Sequence, residues 1–500
     1  MKRRTFVRSA LGAAALTSVP SSHLFGSLYR VGSQVPPDVD AVTGDGESVT
    51  IRRTEIAELA KRVKGNVLLS GHQGYDSART VLNPSFDRHP ALIVQVTGAA
   101  DVATAVDFAR ENELLVAVKC GGHSASGKST CDGGMMIDLS PFRAVTVDPK
   151  ARRAWVTGGS LLGQLDHEAM SYGLVTPMGT VSHTGVGGLT TGGGFGRVAR
   201  HFGLAIDNLT GVQVVAADGK LYRANAEENP DLFWGVRGGG GNFGVVTMFE
   251  FQLHPMDRQV LSGAVVYPFE RAREVIAMYD AYLPEAPDEL DMILFVTPPG
   301  GSEPPGAGVG VCYSGTPGRA DQALAPIRGL GQAVADTVEP MDYVAVQKSE
   351  DSDDFRARAA YLKSGFVPEF SSGLIEAIVD GLEGDPNRRT SMACQPGLGA
   401  IGRVARDATA FSHRDSMGNL LLSVDWEYGA DSSEHVAWIK EAWTHMEPFT
   451  QGFYANDADA DVTMAASTNY RENFPRLVEV KNKYDPTNLF RLNSNVAPTV

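Results

Sequence analysis

Val118-Lys119-Cys120-Gly121-Gly122-His123-Ser124 is the stretch on which the reading of this chain turns. A β-α-β pattern leads into it. Leu92–Val96 has the composition of a strand, Asp101 offers an N-cap for a helix to about Asn112, and Leu115–Lys119 reads as a second strand. A strand that ends in two glycines and a histidine opens a loop of small residues continuing to Gly127. Backbone N–H groups in such a loop can surround a pyrophosphate, because glycine permits close approach and unusual φ values. Two more clusters follow: Gly185-Val186-Gly187-Gly188 with Gly192-Gly193-Gly194-Phe195-Gly196, and Gly238 to Gly241 with Asn242-Phe243-Gly244. One glycine run commonly marks a turn. Three in one lobe, each beside strand-like sequence, point to dinucleotide binding. The standard fingerprints are absent: there is no strand–GxGxxG–helix unit with a later acidic residue and no GxxxxGK[ST]. The cradle is therefore of another design.

Outward from this core, Glu55 opens an amphipathic helix pattern (Ile56, Leu59, Val63), and order is expected to begin there. Strand-like segments occur at Met135–Leu139, Ala144–Val147, Ala154–Gly158 and Leu209–Ala217, with a helix-like Leu161–Ser171 among them. Near His254-Pro255 the pattern changes to longer strands and helices with Pro-rich loops, which places a domain boundary there. The expected organisation is a signal and leader over 1–35, a first domain over 50–256, a second over 257–455, and a segment from 456 to 500 that docks back on the first.

Five hundred residues suit two lobes, and 43% hydrophobic with 21% charged residues is ordinary for a soluble globular chain. A net charge of -15 argues against nucleic acid and against an anionic membrane as partner, and leaves a small molecule as the easier ligand. Cys120, Cys131, Cys312 and Cys394 form no CxxC pair, so no metal site is expected. Lys2-Arg3-Arg4 followed by the small apolar run Ala10–Val19 has the pattern of a twin-arginine export signal, and the run is too short to span a bilayer. Export of a folded, cofactor-loaded protein to the periplasm or the outside is the expectation. The polar stretch from about 22 to 50 reads as a mobile leader.

From Pro84 to Pro255 the chain resembles the FAD-binding domain of the berberine bridge enzyme-like oxidases, of the vanillyl-alcohol oxidase and p-cresol methylhydroxylase flavoprotein superfamily. The resemblance is carried by Asn83-Pro84-Ser85-Phe86-Asp87-Arg88-His89-Pro90, by Val118 to Ser124, by Gly185 to Gly196, by Arg200-His201-Phe202-Gly203-Leu204 and by Asp231-Leu232-Phe233-Trp234. Lys481-Asn482-Lys483-Tyr484-Asp485-Pro486 and Asn493-Ser494-Asn495-Val496 look like the family's C-terminal signature. The resemblance implies an α+β fold: a two-lobed FAD-binding domain of the p-cresol methylhydroxylase type, with a substrate domain built on a large antiparallel sheet covered by helices. It implies FAD bonded covalently through His123, with Lys119, Cys120, Gly121, Gly122, Ser124 and Gly127 around the pyrophosphate. Thr184, Gly185, Gly187, Gly188, Gly192, Gly193, Gly194, Gly196 and Val246 would complete the cradle, and Asn493 and Asn495 would meet the isoalloxazine. Many relatives form a second flavin bond through a cysteine; its position here is Val181, which implies the single histidyl linkage. His183 lies close by and could face the flavin.

Oxidation on a flavin needs a C–H bond held over N5 and a base for the O–H or N–H proton. In several relatives that base is a tyrosine of lowered pKa in a Tyr-x-Asn element, which Tyr454-Ala455-Asn456 matches. Asp425, Glu427 and Tyr428, in the strand-like Leu421–Tyr428, are further candidates for substrate contact, although neighbours in a strand face opposite ways. The expectation is an exported oxidase of CH–OH or CH–NH groups that passes electrons to molecular oxygen, giving hydrogen peroxide. Its substrate would be a carbohydrate, an aromatic alcohol or a similar small molecule. A flavin dehydrogenase with another acceptor and a non-catalytic FAD-binding protein are the alternatives.

Overall fold

The β-α-β unit forms, with a third strand slotted between its two. In the computed structural model, which describes residues 37–299, 304–351, 356–382, 388–458 and 464–500, the strand Met135–Asp138 runs parallel to both Leu92–Gln95 and Val116–Lys119. Asn66–Leu69 adds an antiparallel edge. The central strands are buried on both faces, as parallel pairing requires. Helix Ala99–Glu111 packs against them through Val102, Ala105 and Val106. Asp101 does not cap this helix; Gly98 holds that position. The Asp101 carboxylate instead accepts the backbone N–H groups of Lys64, Gly65 and Thr97 at 2.8, 3.1 and 2.9 Å, tying the helix start to the preceding loop.

Order begins earlier than Glu55. Val39–Val42 and Ser48–Ile51 form an antiparallel hairpin because Ala41 and Ile51 reach the apolar core beneath helix Arg53–Arg62. The proposed signal and leader, residues 1–35, lie outside the described residues.

A second sheet of five antiparallel strands runs in the order Leu221–Asn225, Leu209–Val215, Val245–Gln252, Arg153–Thr157, Val145–Asp148. Helix Phe474–Tyr484 packs on its core through Leu477, Val480 and Tyr484, which brings the C-terminal segment back to this lobe. The fully buried Lys481 anchors that return: its Nζ donates to Asp485 Oδ2 at 2.6 Å, Asn242 O at 2.8 Å and Phe490 O at 2.9 Å. A buried ammonium is tolerated only when its donors are all engaged, and these are.

From Gln259 to Glu427 the chain builds one eight-stranded antiparallel sheet. Helices Ala272–Tyr282, Ala320–Arg328, Ser372–Leu382 and Ser433–Met446 cover it, burying Ile276, Leu324, Ile378 and Ile439 against Leu294, Val309 and Leu422. The architecture is the α+β arrangement that the resemblance implied. Two buried arginines lock the lobes together. Arg414 makes a bidentate pair with Asp207 at 2.7 and 2.8 Å, and Arg200 donates to the carbonyls of Ala286, Leu290 and Gly397. The cavity between the lobes thus has fixed walls.

Candidate flavin site

A cavity of about 350 Å3 opens where the three glycine clusters converge with the C-terminal segment. Strand Val116–Lys119 delivers Cys120, Gly121, His123 and Ser124 to it, and helix Val186–Gly192 presents Gly187 and Gly188. Val181, Thr184, Gly185, Val246, Asn493 and Tyr454 also line it, as the sequence led one to expect. The first two clusters touch backbone to backbone. A Cβ on Gly121 would sit 2.3 Å from the Gly185 nitrogen, and one on Gly185 would sit 2.4 Å from the Gly121 nitrogen.

Seven expected residues do not line the cavity but hold its walls, and Asn495 does not line it either. The buried Lys119 turns its ammonium away, to the carbonyl of Ala78 and toward Asp138, 3.8 Å distant, and burial lowers its pKa. Gly122 binds Leu82 through its carbonyl, and Gly127, Gly192 and Gly196 pack flush against Phe86, Asn456 and the Met178 carbonyl. Gly193 and Gly194, at φ +145° and +88°, bend the chain so that the Gly194 N–H donates to the Tyr454 hydroxyl at 2.8 Å. Asp425, Glu427 and Tyr428 stand clear of the cavity. Asp425 is engaged by Arg358 and Arg389, while Glu427 and Tyr428 are exposed. Near the start of that strand, Gly418–Glu427, the buried Asn419 reaches the site through two lining residues, Gln395 and Asp457.

The lining is chemically uneven. His123 Nε2 lies 2.6 Å from His183 Nδ1, and its Nδ1 lies 3.2 Å from Thr184 Oγ1. Burial, with His183 as a second cause, lowers the His123 pKa to about 4, so the ring is neutral at neutral pH. Cys120 is the opposite case: burial pushes its thiol up to about 11, and it contacts the Ser160 carbonyl at 3.6 Å. It is a protonated packing residue.

Tyr454 lines the cavity, but its pKa is raised where the resemblance implied a lowered one. Its oxygen accepts from both Gly194 N–H and Asn456 Nδ2, each at 2.8 Å, yet burial outweighs those donors and holds its pKa well above the usual phenol value. The two N–H donors leave this oxygen one further hydrogen bond, which faces the cavity.

Several lining residues escaped the sequence reading, four of them able to bear on chemistry. Lys128 brings a cation, Ser129 a hydroxyl, and Gln395 and Asp457 bring amide and carboxyl groups from the far lobe and its return. No motif surrounds Gln395. Asp457 could have been found from its spacing, three residues beyond Tyr454.

The cavity suits a polar dinucleotide. Ser129 Oγ, Ser494 Oγ and the Tyr470 hydroxyl are buried at its wall without a hydrogen-bond partner, which a polar ligand would supply. Glycine faces give such a ligand close approach to the backbone. Among the described residues no group of three or more His, Cys, Asp or Glu could hold a metal, and no helix is long and apolar enough to cross a membrane.

A glycine-walled cavity fed by a strand–GGH loop and bordered by a substrate lobe defines an FAD-linked oxidoreductase, and known proteins agree. The FAD binding domain profile matches residues 90–225, and the berberine and berberine like profile matches 453–497. An FAD-linked oxidoreductase of Dictyostelium discoideum is 31% identical over 452 residues, covering 89% of this chain and 97% of its own length. (R)-6-hydroxynicotine oxidase of Paenarthrobacter nicotinovorans is 31% identical over 464 residues, covering 87% and 97%. The crystal structure of a carbohydrate oxidase from Microdochium nivale superposes with a TM-score of 0.82 at 25% identity, covering 89% of this chain and all of that one. The chain belongs to the berberine bridge enzyme-like family of FAD-linked oxidoreductases, and FAD is its cofactor.

Proposed function

We propose that this chain is an exported oxidase that dehydrogenates a CH–OH or CH–NH group of a small molecule, with FAD held covalently through His123 alone. The observation that carries this reading is the meeting, in one cavity, of a neutral His123, the paired glycine loops and the polar side chains Tyr454, Gln395 and Asp457. When bound, FAD would supply the hydride acceptor for the substrate, with oxygen as the final electron acceptor and hydrogen peroxide as the product. Gly121, Gly185, Gly187 and Gly188 would hold the dinucleotide by backbone contact, Lys128 would oppose its phosphate charge, and Asn493 would meet the ring system. Val181, apolar where relatives carry a second cysteine, supports the single linkage. Arg3-Arg4 before the short apolar run supports export; fractionation of the host should find the protein outside the cytoplasm, and purely cytoplasmic protein would defeat that part.

The deciding experiment screens purified holoprotein against sugars, alcohols and amines, following anaerobic flavin bleaching and, in air, peroxide. Bleaching with peroxide is expected. Bleaching without peroxide makes it a dehydrogenase, and no bleaching with any class removes the catalytic reading. In this reading Tyr454, on the cavity wall, gives a hydrogen bond to the reacting group. Tyr454→Phe should slow flavin reduction by roughly tenfold, the worth of one lost hydrogen bond. Flavin content and melting temperature serve as controls, since the Gly194 N–H loses its acceptor too. An unchanged reduction rate would take Tyr454 out of the reaction.

A further inference from the structure

Loop 179–184 belongs to the first lobe but is held from the second. Gly179, Thr180, Val181 and Thr184 line the flavin cavity, and His183 meets His123 at 2.6 Å with ring centroids 4.6 Å apart. Facing the loop from the substrate lobe are helix Tyr343–Gln347 and the residues directly after it, 348–351. The buried Gln347 donates from Nε2 to the Gly179 carbonyl at 2.9 Å and to Asp166 Oδ2 at 3.2 Å. Glu350 accepts from Thr180 Oγ1 at 3.2 Å and pairs with Arg197. Asp351 has the firmest hold. Its Oδ1 accepts the Ser182 backbone N–H at 2.9 Å, and its Oδ2 accepts the Ser182 hydroxyl at 2.5 Å.

Ser182 is the residue before His183, so whatever fixes its backbone fixes where the His183 side chain starts. Two hydrogen bonds to one carboxylate, one from main chain and one from side chain, set both the place and the orientation of Ser182. From its own lobe Ser182 is met at the carbonyl, which accepts the Gly163 N–H at 2.8 Å. Asp351 is exposed, so water screens its charge. That charge does pull the His123 pKa upward, but it is the least of the three causes acting on the ring. The hydrogen bonds to Ser182 are the stronger route from Asp351 to His123.

We infer that Asp351 is a positioning residue for flavin attachment: it reaches from the substrate lobe to Ser182 and so seats His183 against His123, holding the imidazole where a flavin in the cavity can bond to it. The inference rests on the histidyl linkage proposed above. In that attachment a His123 nitrogen bonds to the 8α-methyl carbon of the flavin. The imidazole N–H and one methyl C–H break, and both hydrogens leave as protons. The C–H electron pair reduces the ring system, which takes up the two protons, and oxygen then reoxidises it with release of hydrogen peroxide. Asp351 touches none of these atoms. Its part is geometric, and it makes attachment depend on the two lobes being closed on each other.

The test compares wild type, Asp351→Ala, Asp351→Asn and Ser182→Ala, each purified with its flavin at intervals after a pulse of expression and held in air with added FAD. The flavin that stays with the acid-precipitated pellet, the total flavin after desalting and the melting temperature are read over time. Asp351→Ala should bind FAD and melt close to the wild type. It should nevertheless convert FAD to the pellet-bound form roughly tenfold more slowly, the worth of a hydrogen bond lost to a charged group. Asp351→Asn should convert like the wild type, because an amide oxygen still accepts the Ser182 N–H and an amide nitrogen can donate to the hydroxyl. Ser182→Ala keeps the main-chain bond and should fall between the two. A merely structural Asp351 would lower melting temperature and total flavin in step with the pellet fraction, and that result overturns the assignment. Conversion by Asp351→Ala at the wild-type rate overturns it, as does loss of conversion in Asp351→Asn, which would make charge the active property. Should Asp351→Ala not accumulate, Ser182→Ala carries the test, and conversion at the wild-type rate overturns the assignment equally. If the wild-type pellet holds no flavin, the histidyl linkage falls and this inference falls with it. If wild type and Asp351→Ala hold it equally from the first interval, only Asp351 is removed.

Discussion

Acid-precipitated His123→Ala protein should leave all of its flavin in the supernatant, whereas the wild-type pellet should stay yellow. A bond from an imidazole nitrogen to carbon requires a neutral ring. His123 meets that condition because burial and the adjacent His183 lower its pKa to about 4. The sign is clear: the ring charges only below about 4, so the nucleophilic form prevails at neutral pH. Its two nitrogens are placed differently, one 2.6 Å from His183 Nδ1 and the other 3.2 Å from Thr184 Oγ1, which orients the ring at the cavity wall. No thiol stands ready to replace it. Cys120 is held protonated by burial, and Cys131, Cys312 and Cys394 are buried with thiols pushed up to about 12. Non-covalent flavin should still enter the glycine cradle of the variant. The intact mass of wild type should exceed that of the variant by one FAD, after allowing for the substitution. Any covalent flavin remaining in His123→Ala would reveal a second attachment point and end the single-linkage reading.

The parts of the site legible in sequence were those where backbone does the work. Gly121, Gly185 and Gly187 could be read because only glycine lets two loops and a ligand share that space, and His123 because it closes the first loop. The lobes were legible because one lobe mixes short strands with glycine loops and the other runs long alternating strands such as Leu290–Thr297. Side-chain function was less visible. Asp425 looked available on an alternating strand, but Arg358 and Arg389 arrive from the two flanking strands, and no local pattern announces a cross-strand ion pair. Gln395, which lines the cavity, and Asn419, which holds it from behind, are two neutral amides brought side by side by register alone. Tyr454 lines the cavity, yet its raised pKa comes from burial, against which the Gly194 N–H 260 positions away pulls. Hairpin 39–51 was read as leader because polar residues dominate it; two inward side chains, Ala41 and Ile51, were enough to fix it.

Gly121→Ala should destabilise the protein by about 3 kcal/mol, the upper part of the range for overpacking, and strip it of flavin. The added Cβ would lie 2.3 Å from the Gly185 nitrogen and 2.8 Å from its Cα. Both are backbone atoms, so no side-chain rotation relieves the clash; the two loops must separate. Those loops are the ones that would present their backbone to the dinucleotide, so the same displacement that costs stability also costs binding, and the loss of ligand lowers apparent stability again. Gly318→Ala is the matched control. Gly318 lies in the one-turn helix Pro317–Arg319, away from the cavity, where a Cβ meets nothing within 4 Å, and alanine there should hold or raise the melting temperature because it restricts the unfolded chain by about 0.5–1 kcal/mol. Thermal unfolding by circular dichroism and the flavin-to-protein ratio after desalting measure both effects. The prediction fails if Gly121→Ala melts with the wild type and retains a full complement of flavin, since the two glycine loops would then not be in the contact that shapes the cavity.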